Sequence, residues 1–211
     1  MKTIFVTIFE GVESKNILRT SVLPTLLSQS DIRLVVLAKN EERAEYHRIE
    51  FNDPRITYEI VGEPELVGLD KIFMKIRYFL LNTESSWLWR KMSFEERRNY
   101  FSYYFGSFAK FIFARPGFVK IFRRLDYLLV RDRRYRGVFD RYNPSLVFAA
   151  NLFSEHEIHL VREARRRNIN TIGLVNSWDR VTARSVLRLI PDKLIVFNEL
   201  VKEETVEHNG I

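Results

Sequence analysis

Asn143 to Glu199 reads NPSLVFAANLFSEHEIHLVREARRRNINTIGLVNSWDRVTARSVLRLIPDKLIVFNE, and this stretch decides the fold. It contains three short apolar runs, at residues 146–150, 171–175 and 193–197, with a helix-like segment at residues 154–167 after the first run. Short apolar runs that alternate with helical patterns indicate parallel strands joined by crossover helices. The stretch therefore predicts one half of a parallel α/β sheet.

The N-terminal part of the chain shows the same alternation. Apolar runs at residues 3–9, 32–38 and 56–61 are separated by helical patterns. Together, all the runs predict an α/β fold of the Rossmann-like type, with a parallel sheet of about six strands and helices on both faces. We predict a single domain over residues 1–211, with a basic, aromatic helical insertion at residues 87–140 between strands three and four.

Two sequence patterns mark helix starts in and after the insertion. Ser93 is followed three residues later by Glu96, and Ser154 is followed in the same way by Glu157. This spacing is typical of a capping box, in which each side chain bonds the backbone N–H of the other residue. We therefore predict that helices begin at Ser93 and at Ser154.

Polar residues follow the predicted strands at their carboxyl ends, which is where ligands bind in parallel sheets. We predict that residues from several of these ends line one crevice. The candidates for substrate binding are Gly11, Asn151, Ser154, Asn176, Ser177, Trp178 and Asp179. Trp178 could stack on a sugar while Asp179 accepts hydrogen bonds from its hydroxyl groups, or Trp178 could pin the loop while Asp179 caps a turn. Both alternatives stay open at this point.

Three titratable residues near the same edge are candidates for catalysis. Glu10 and Glu13 flank Gly11 in the loop after the first strand, where a carboxylate could take a proton from an acceptor hydroxyl group. His156 lies in the first turn of the helix after strand four, where the helix dipole disfavours the protonated imidazole and so favours a general base. Solvated surface charge is the alternative for each of the three.

The sequence argues against the common nucleotide and metal sites. Gly11 stands alone after the first strand, so the Gly-rich turn of dinucleotide-binding proteins is absent, and the chain contains no P-loop motif. The chain has no cysteine, and His156 and His159 are one residue closer than the zinc motif His-Glu-x-x-His requires. We predict neither a cofactor nor a metal.

The insertion concentrates positive charge and aromatic side chains. Residues 87–140 contain 13 Lys and Arg against 5 Asp and Glu, a local balance of +8, whereas the whole chain carries +7. Of the 29 Phe, Tyr and Trp residues, 13 lie between Trp87 and Phe122. The spacing predicts one apolar helical face. Its residues are Phe101, Tyr104, Phe105, Phe108, Phe111 and Ile112.

This pattern has three interpretations. The face could pack in a core, it could contact an anionic membrane surface with Lys and Arg at its edges, or the aromatic and basic groups could bind nucleic acid. The helical stripe favours packing or lipid over base stacking, so nucleic acid is the least favoured partner. We predict core packing combined with peripheral membrane contact. The basic residues assigned to the membrane surface are Arg98, Lys110, Arg115, Lys120, Arg123 and Arg124.

The chain contains no uncharged run that approaches the length of a membrane-spanning helix. Its apolar start is limited to residues 4–9, because Glu10 ends the run, and this is too short for the core of a secretory signal. The sequence therefore predicts a cytoplasmic protein that could be peripheral on the inner face of the membrane.

Parts of the predicted sheet resemble a family of bacterial surface-polysaccharide transferases. Thr171–Asp179 is similar to a strand and loop of that family, and so are Pro191–Glu199 and the residues that follow, Val201–Ile211. Glu10-Gly11-Val12, followed by Asn16–Arg19, is similar to the loop after the first strand of these proteins. The resemblance covers the sheet but hardly extends to the insertion.

The resemblance implies the two-domain GT-B architecture, related in fold to CDP-glycerol glycerophosphotransferases and UDP-GlcNAc 2-epimerases. In GT-B enzymes the N-terminal half binds the acceptor, and the C-terminal half supplies most of the nucleotide-sugar site. The chain would then be the acceptor-binding half of a glycosyl- or glycerophosphotransferase for cell-surface polymers, incomplete without a C-terminal donor-binding domain or partner chain. Its other partners would be a sugar or lipid-linked acceptor and an anionic membrane. The alternative is a non-catalytic module that binds a membrane surface or nucleic acid through the insertion.

Overall fold

The computed structural model describes residues 1–63 and 65–211, and within them every strand belongs to one parallel sheet. The strands are β1 (Lys2–Ile8), β2 (Ile32–Ala38), β3 (Ile56–Ile60), β4 (Leu146–Ala149), β5 (Asn170–Leu174) and β6 (Lys193–Ile195). The helices are α1 (Gly11–Ile17), α2 (Val22–Leu27), α3 (Glu41–Glu50), α4 (Leu69–Ile76), α5 (Glu84–Arg97), α6 (Tyr100–Phe113), α7 (Pro116–Leu129), α8 (Arg136–Tyr142), α9 (Glu155–Arg166), α10 (Arg180–Ala183) and α11 (Glu199–Asn209). The predicted Rossmann-like α/β fold with a parallel sheet is confirmed.

The order of the strands places the ends of β1 and β4 side by side. The sheet runs β3-β2-β1-β4-β5-β6, and β1 pairs with β2 on one side and with β4 on the other. The chain therefore moves outward from β1 to β3 and then returns to the opposite side of β1. Doubly wound sheets bind ligands in the crevice beyond the carboxyl ends of the strands at such a reversal.

Alternate side chains of β1 pack against different helices. Ile4, Val6 and Ile8 join a buried cluster with side chains from α1 and α2. Phe5 and the following Phe9 join a second buried cluster with side chains from α8 and α9. Because successive residues of a strand point to opposite faces, helices cover both faces of the sheet. Burial on both faces explains why the central strands read as continuous apolar runs.

The chain divides into two compact units. The first unit contains the six strands together with α1, α2, α3, α8 and α9, and it consists of Met1–Glu65, Asp132–Asn176 and Ile190–Ile195. The second unit contains α4 to α7, α10 and α11, and it consists of Leu66–Arg131, Ser177–Leu189 and Val196–Ile211.

A buried ion-pair network accompanies the apolar core of the second unit. The core joins Phe73 of α4 to Phe122 of α7, among others. Arg188 is fully buried and donates hydrogen bonds to Asp126 at 2.8 and 3.0 Å and to Asp70 at 2.7 Å. Two carboxylates thus surround one guanidinium group, which is the arrangement that makes burial of a charge tolerable.

The predicted helix start at Ser93 is wrong. α5 continues through Ser93, and its cap is Thr83, whose hydroxyl oxygen accepts a hydrogen bond from the Ser86 N–H at 3.2 Å. The cap of the next helix, α6, is Asn99, whose side chain accepts a hydrogen bond from the Ser102 N–H at 2.9 Å. Ser and Glu three residues apart also occur within a helix, so the spacing alone does not fix where the helix begins.

Candidate functional sites

Two buried glutamates lie where the strand order reverses. Glu13, in α1, accepts hydrogen bonds through Oε2 from the backbone N–H groups of Phe9 and Glu10. Glu157, in the first turn of α9, accepts a hydrogen bond through Oε2 from the backbone N–H of Asn151, which follows β4. Both side chains are fully buried, and Oε1 of each has no hydrogen-bond partner among the described residues. Each carboxyl group therefore anchors the loop at one strand end.

The two carboxyl groups also influence each other's protonation. Burial raises the pKa of Glu157 well above its usual range, and the charge of Glu13 raises it further. Burial likewise raises the pKa of Glu13, against the opposing effect of the backbone hydrogen bonds that it accepts. A buried acid of this kind holds its proton to a higher pH than an exposed one and can donate a hydrogen bond. Both carboxyl groups therefore favour the neutral form more than exposed glutamates do.

His156 lies in the same turn of α9 as Glu157. Its ring stacks on that of Phe9, with the centroids 4.4 Å apart, and its Nδ1 is 3.1 Å from the hydroxyl oxygen of Tyr135. Its Nε2 is 3.5 Å from a carboxylate oxygen of Glu63. Burial, helped by nearby positive charges, lowers the pKa of His156 to about 4. The imidazole is therefore neutral at pH 7 and can accept a proton.

Fully or partly exposed charged residues lie near this edge of the first unit. Glu10 forms an ion pair with Arg43 at 3.4 Å, and Lys39, which follows β2, forms one with Glu63, which follows β3. Gly11 is exposed at the start of α1, and a Cβ added to it would meet no atom within 4 Å. The loop after β1 therefore presents an exposed carboxylate and open space, while Glu13 lies beneath it.

Three of the predicted binding residues lie in loops of the first unit. The buried side chain of Asn151 accepts a hydrogen bond from the Phe153 N–H at 3.3 Å. Ser154 precedes α9 as predicted, but its side chain makes no cap hydrogen bond, and Glu157 bonds Asn151 instead. The helix start is thus right and the capping box is wrong. Asn176 is buried after β5, and its Oδ1 has no hydrogen-bond partner within the described residues.

The other predicted binding residues belong to the second unit. The Ser177 hydroxyl group donates a hydrogen bond to the carboxylate of Asp179, and the carbonyl of Asp179 accepts one from the Thr182 hydroxyl group at 3.2 Å. Trp178 is 70% exposed, so it does not pin its loop by packing, and its ring is open to a ligand. A single crevice shared by all the predicted residues stays a prediction.

Five of the six side chains of the predicted apolar face of α6 are exposed, while Ile112 is half-buried. A set of apolar side chains on α7 is exposed as well. On α6, exposed fractions of 62% to 79% are found for Phe101, Tyr104, Phe105, Phe108 and Phe111. On α7, fractions of 40% to 57% are found for Phe118, Ile121, Leu125, Leu128 and Leu129. Packing of these side chains in a core is therefore the wrong interpretation. Other sides of the two helices are buried, at Gly106 and Lys110 in α6 and at Val119 and Phe122 in α7. We call the exposed side chains the apolar face of α6 and α7.

The basic residues assigned to a membrane surface do not all lie at the surface. Arg123 is half-buried, donates a hydrogen bond to the carbonyl of Gly210 at 3.5 Å, and has its pKa lowered by burial. Lys110 is only 2% exposed, so its assignment to the surface is wrong: its ammonium group bonds the Ser86 hydroxyl group instead. The exposed members are Arg98, Arg115, Lys120 and Arg124.

A cavity of about 580 Å³ lies in the second unit. Its aromatic lining residues include Tyr78, Trp89 and Tyr103. Its charged lining residues are Arg90, Arg97, Lys110, Arg184 and Asp179. Cationic side chains therefore outnumber the acidic one, and the cavity combines positive charge with aromatic walls.

Several residues of these sites were not identified from the sequence. Glu157 has a visible signal, its spacing from Ser154, but the pattern indicates a capping role and does not reveal the bond to the loop after β4. Tyr135 and Arg90 have no local signal, because their partners are distant in the chain or lie on another helix. Lys39 could be found from its position directly after a predicted strand.

No helix within residues 1–63 and 65–211 combines the length and the apolar character that a bilayer crossing requires. The chain matches no protein-family model, no curated protein and no solved structure. Its assignment therefore rests on the fold and on the sites described above, and the resemblance to surface-polysaccharide transferases stays a prediction.

Proposed function

We propose that the protein binds an anionic membrane surface through the apolar face of α6 and α7. The observation that carries this proposal is the exposure of the aromatic stripe of α6, where Phe101 and Phe111 are 79% and 71% exposed. Soluble proteins rarely leave large apolar patches in water unless a partner covers them. Aromatic side chains are well suited to the boundary between lipid head groups and acyl chains.

The charges around the apolar face support an anionic bilayer as the partner. Within residues 98–131 the only acidic residue is Asp126, and it is buried in its ion pair with Arg188. The exposed charges of this stretch are all positive and include Arg115 and Lys120. Each such residue near an anionic membrane contributes about 1 kcal/mol to binding. A surface with aromatic groups and only positive exposed charge is complementary to anionic lipid.

Vesicle sedimentation tests this function. The chain should sediment with vesicles of phosphatidylcholine mixed with phosphatidylglycerol at low salt, and less with phosphatidylcholine alone. High salt should weaken binding, because it screens the attraction between the cations and the head groups. The double variant Phe101→Ser, Phe111→Ser should bind several-fold less, roughly as expected from the loss of two interfacial aromatic groups.

The matched control is Ile49→Ser, which removes a side chain that is 75% exposed on α3 in the first unit. This variant should bind vesicles as the wild type does. Equal losses of vesicle binding in the control and in the double variant would contradict the proposal. A stable dimer that binds no vesicles would assign the apolar face to a second copy of the chain instead.

A second candidate function is acceptor binding in a surface-polymer transferase, as the sequence resemblance implies. What supports it is the position of His156, neutral at pH 7, beside buried Glu157 where the strand order reverses. A neutral imidazole there can take the proton of an acceptor hydroxyl group. The isolated chain should bind short polyol-phosphate or glycoside acceptors weakly and should transfer nothing, since donor and acceptor must be positioned together.

Calorimetric titration tests this second candidate. Acceptor binding should weaken in His156→Ala and stay unchanged in His208→Gln, which alters a histidine in the last turn of α11. Nucleotide sugars should bind weakly or not at all, because the Gly-rich phosphate loops are absent from the sequence. Tight binding or turnover of a nucleotide sugar by the purified chain would show that the half-site interpretation is wrong.

A further inference from the structure

Lys110 is a buried cation whose direct contacts are with neutral side chains. Its ammonium group donates a hydrogen bond to the Ser86 hydroxyl group and lies 4.5 Å from the centroid of the Trp87 ring. Arg90, also in the cavity lining, donates hydrogen bonds to the carbonyls of Ser102 at 3.2 Å and Tyr103 at 3.4 Å. These contacts orient the two cations but do not neutralise them.

The same unit shows how a buried cation is normally accommodated. Arg188 has two aspartates, and breaking such a pair leaves an uncompensated charge that is costly to bury. In the described part of the chain, neither Lys110 nor Arg90 forms an ion pair with a carboxylate. Burial, and to a smaller extent the charge of Arg90, lowers the pKa of Lys110 to about 8, which reflects this cost. An anion bound beside both cations would remove that cost.

The backbone of α6 is shaped around the Arg90 side chain. A Cβ added to Gly106 would lie 2.3 Å from Nη1 of Arg90 and 2.4 Å from Nη2. Any larger residue at this position would therefore displace the guanidinium group. Its orientation is further supported by stacking over the Phe79 ring at 5.1 Å. Arg90 is thus fixed before any ligand arrives, which lowers the entropic cost of binding.

We propose that the cavity of the second unit is a binding site for a phosphate ester. Arg90 and Lys110 hold the phosphate, because a guanidinium fork and an ammonium group are the usual protein partners of phosphate oxygens. The aromatic walls, which include Trp89 and Tyr103, contact the organic part of the ester. This assignment goes beyond membrane docking, since the phosphate could belong to a lipid head group or to a soluble ester.

The first test uses the wild-type chain and phenyl phosphate, a soluble ester with an aromatic group. Calorimetry should show binding, and nuclear magnetic resonance should place the perturbed signals at Ser86, Arg90 and Lys110. Phenol, which lacks the phosphate, should bind at least about tenfold more weakly, since charge-assisted hydrogen bonds supply most of the affinity. Binding of phenol and phenyl phosphate with equal affinity would overturn the proposal, as would perturbations confined to other parts of the chain.

The second test compares two lysine variants. Lys110→Met should weaken phenyl phosphate binding by at least about tenfold, as the loss of a charge-assisted contact predicts. Lys71→Met removes an exposed lysine of α4 outside the cavity lining and should leave the affinity unchanged. Unchanged affinity in Lys110→Met would overturn the proposal. If this variant does not fold, the resonance mapping on the wild type tests the site instead, and perturbations away from Ser86, Arg90 and Lys110 would overturn the proposal.

A third comparison identifies the source of the phosphate. Wild type and Lys110→Met are sedimented with phosphatidylcholine vesicles, with or without phosphatidic acid. Binding to phosphatidic acid that depends on Lys110 supports the site with a lipid head group as its ligand. Phenyl phosphate binding without a Lys110-dependent vesicle effect supports the site with a soluble ester. Failure to bind either phosphate would overturn the site and leave the vesicle test of the apolar face as a separate result.

Discussion

Each unit buries two groups that carry the same charge when ionised, acidic in the first unit and basic in the second. The two units differ in how the cost of burying these groups is reduced. The first unit buries Glu13 and Glu157 where the strand order reverses, and the second buries Lys110 beside half-buried Arg90. A carboxyl group can become neutral by keeping a proton, and burial raises the pKa of both glutamates accordingly. Lys110, with its pKa lowered to about 8, is still mostly charged at pH 7, and Arg90 cannot lose its charge there.

This difference shows which buried charges are neutralised by groups of the same unit and which are not. The glutamates have backbone N–H donors on one oxygen, and each can become neutral by keeping a proton, so the first unit needs no external ion to bury them. In the second unit, Lys110 and Arg90 have only neutral hydrogen-bond partners, whereas Arg188 has two aspartates. Within the described residues of this unit, Arg188 therefore has carboxylate partners, whereas Lys110 and Arg90 of the cavity lining have no ion-pair partner.

The largest effect should come from breaking the fully paired cation. Asp126→Ala leaves Arg188 buried with one carboxylate fewer, and we expect a loss of about 3–5 kcal/mol in the free energy of unfolding. Urea unfolding followed by circular dichroism measures it. Glu50→Ala breaks the exposed pair with Arg19 and should change stability far less. Similar losses of stability in both variants would contradict the distinction between a buried and an exposed ion pair.

A smaller loss should follow from removing the anchor of the loop after β4. Glu157→Ala leaves the buried N–H of Asn151 without its acceptor, at a cost of about 1–3 kcal/mol. Glu157→Gln keeps an oxygen acceptor and removes the titrating group, so it should lose less stability at neutral pH. The pKa of Glu157 is raised in the folded state, so the folded state keeps a proton that the unfolded state loses. Wild-type stability should therefore fall as the pH rises above the ordinary glutamic acid pKa of 4.5, and Glu157→Gln should reduce this fall. A larger loss of unfolding free energy in Glu157→Gln than in Glu157→Ala would contradict the anchoring role of this side chain.

The sheet could be predicted from the sequence because burial on both faces leaves apolar runs such as residues 32–38. The exposed face of α6 could not, because the spacing of Phe101, Phe105 and Phe108 shows that one side of a helix is apolar but not what covers it. The same limit applies to Glu157: its spacing from Ser154 marks a helix start, while its true partner depends on where β4 ends. Long-range partners decide the sites, and local patterns do not contain them.

Removing the unpaired cation should stabilise the second unit slightly. Lys110→Met replaces a buried charge with an apolar side chain of similar length, and we expect a gain of about 1 kcal/mol in the free energy of unfolding at pH 7. The folded pKa of about 8 lies below the ordinary value of 10.5, so the unfolded state binds more protons between these limits. Wild-type stability should therefore rise with pH over that window, and the advantage of Lys110→Met should shrink. A loss of stability in Lys110→Met at pH 7 would indicate that its hydrogen bond outweighs its charge.

The smallest effect concerns His156, whose ring charge should be absent over the whole neutral range. Its carbon-bound ring protons should show no titration by nuclear magnetic resonance between pH 7 and pH 6, because the folded pKa is lowered to about 4. Since the unfolded state binds the proton first, near its ordinary pKa of 6.5, this histidine should destabilise the fold only as pH falls from there toward 4.

Tyr135→Phe removes the hydroxyl group 3.1 Å from Nδ1 of His156 and should cost about 1 kcal/mol of unfolding free energy. It should leave the pKa low, because burial rather than this bond is the main cause of the shift. A His156 pKa near 6.5 in the wild type would contradict the lowering by burial, and the ring would then titrate between pH 7 and pH 6. A rise of the pKa confined to Tyr135→Phe would show that the tyrosine, and not burial, keeps the ring neutral.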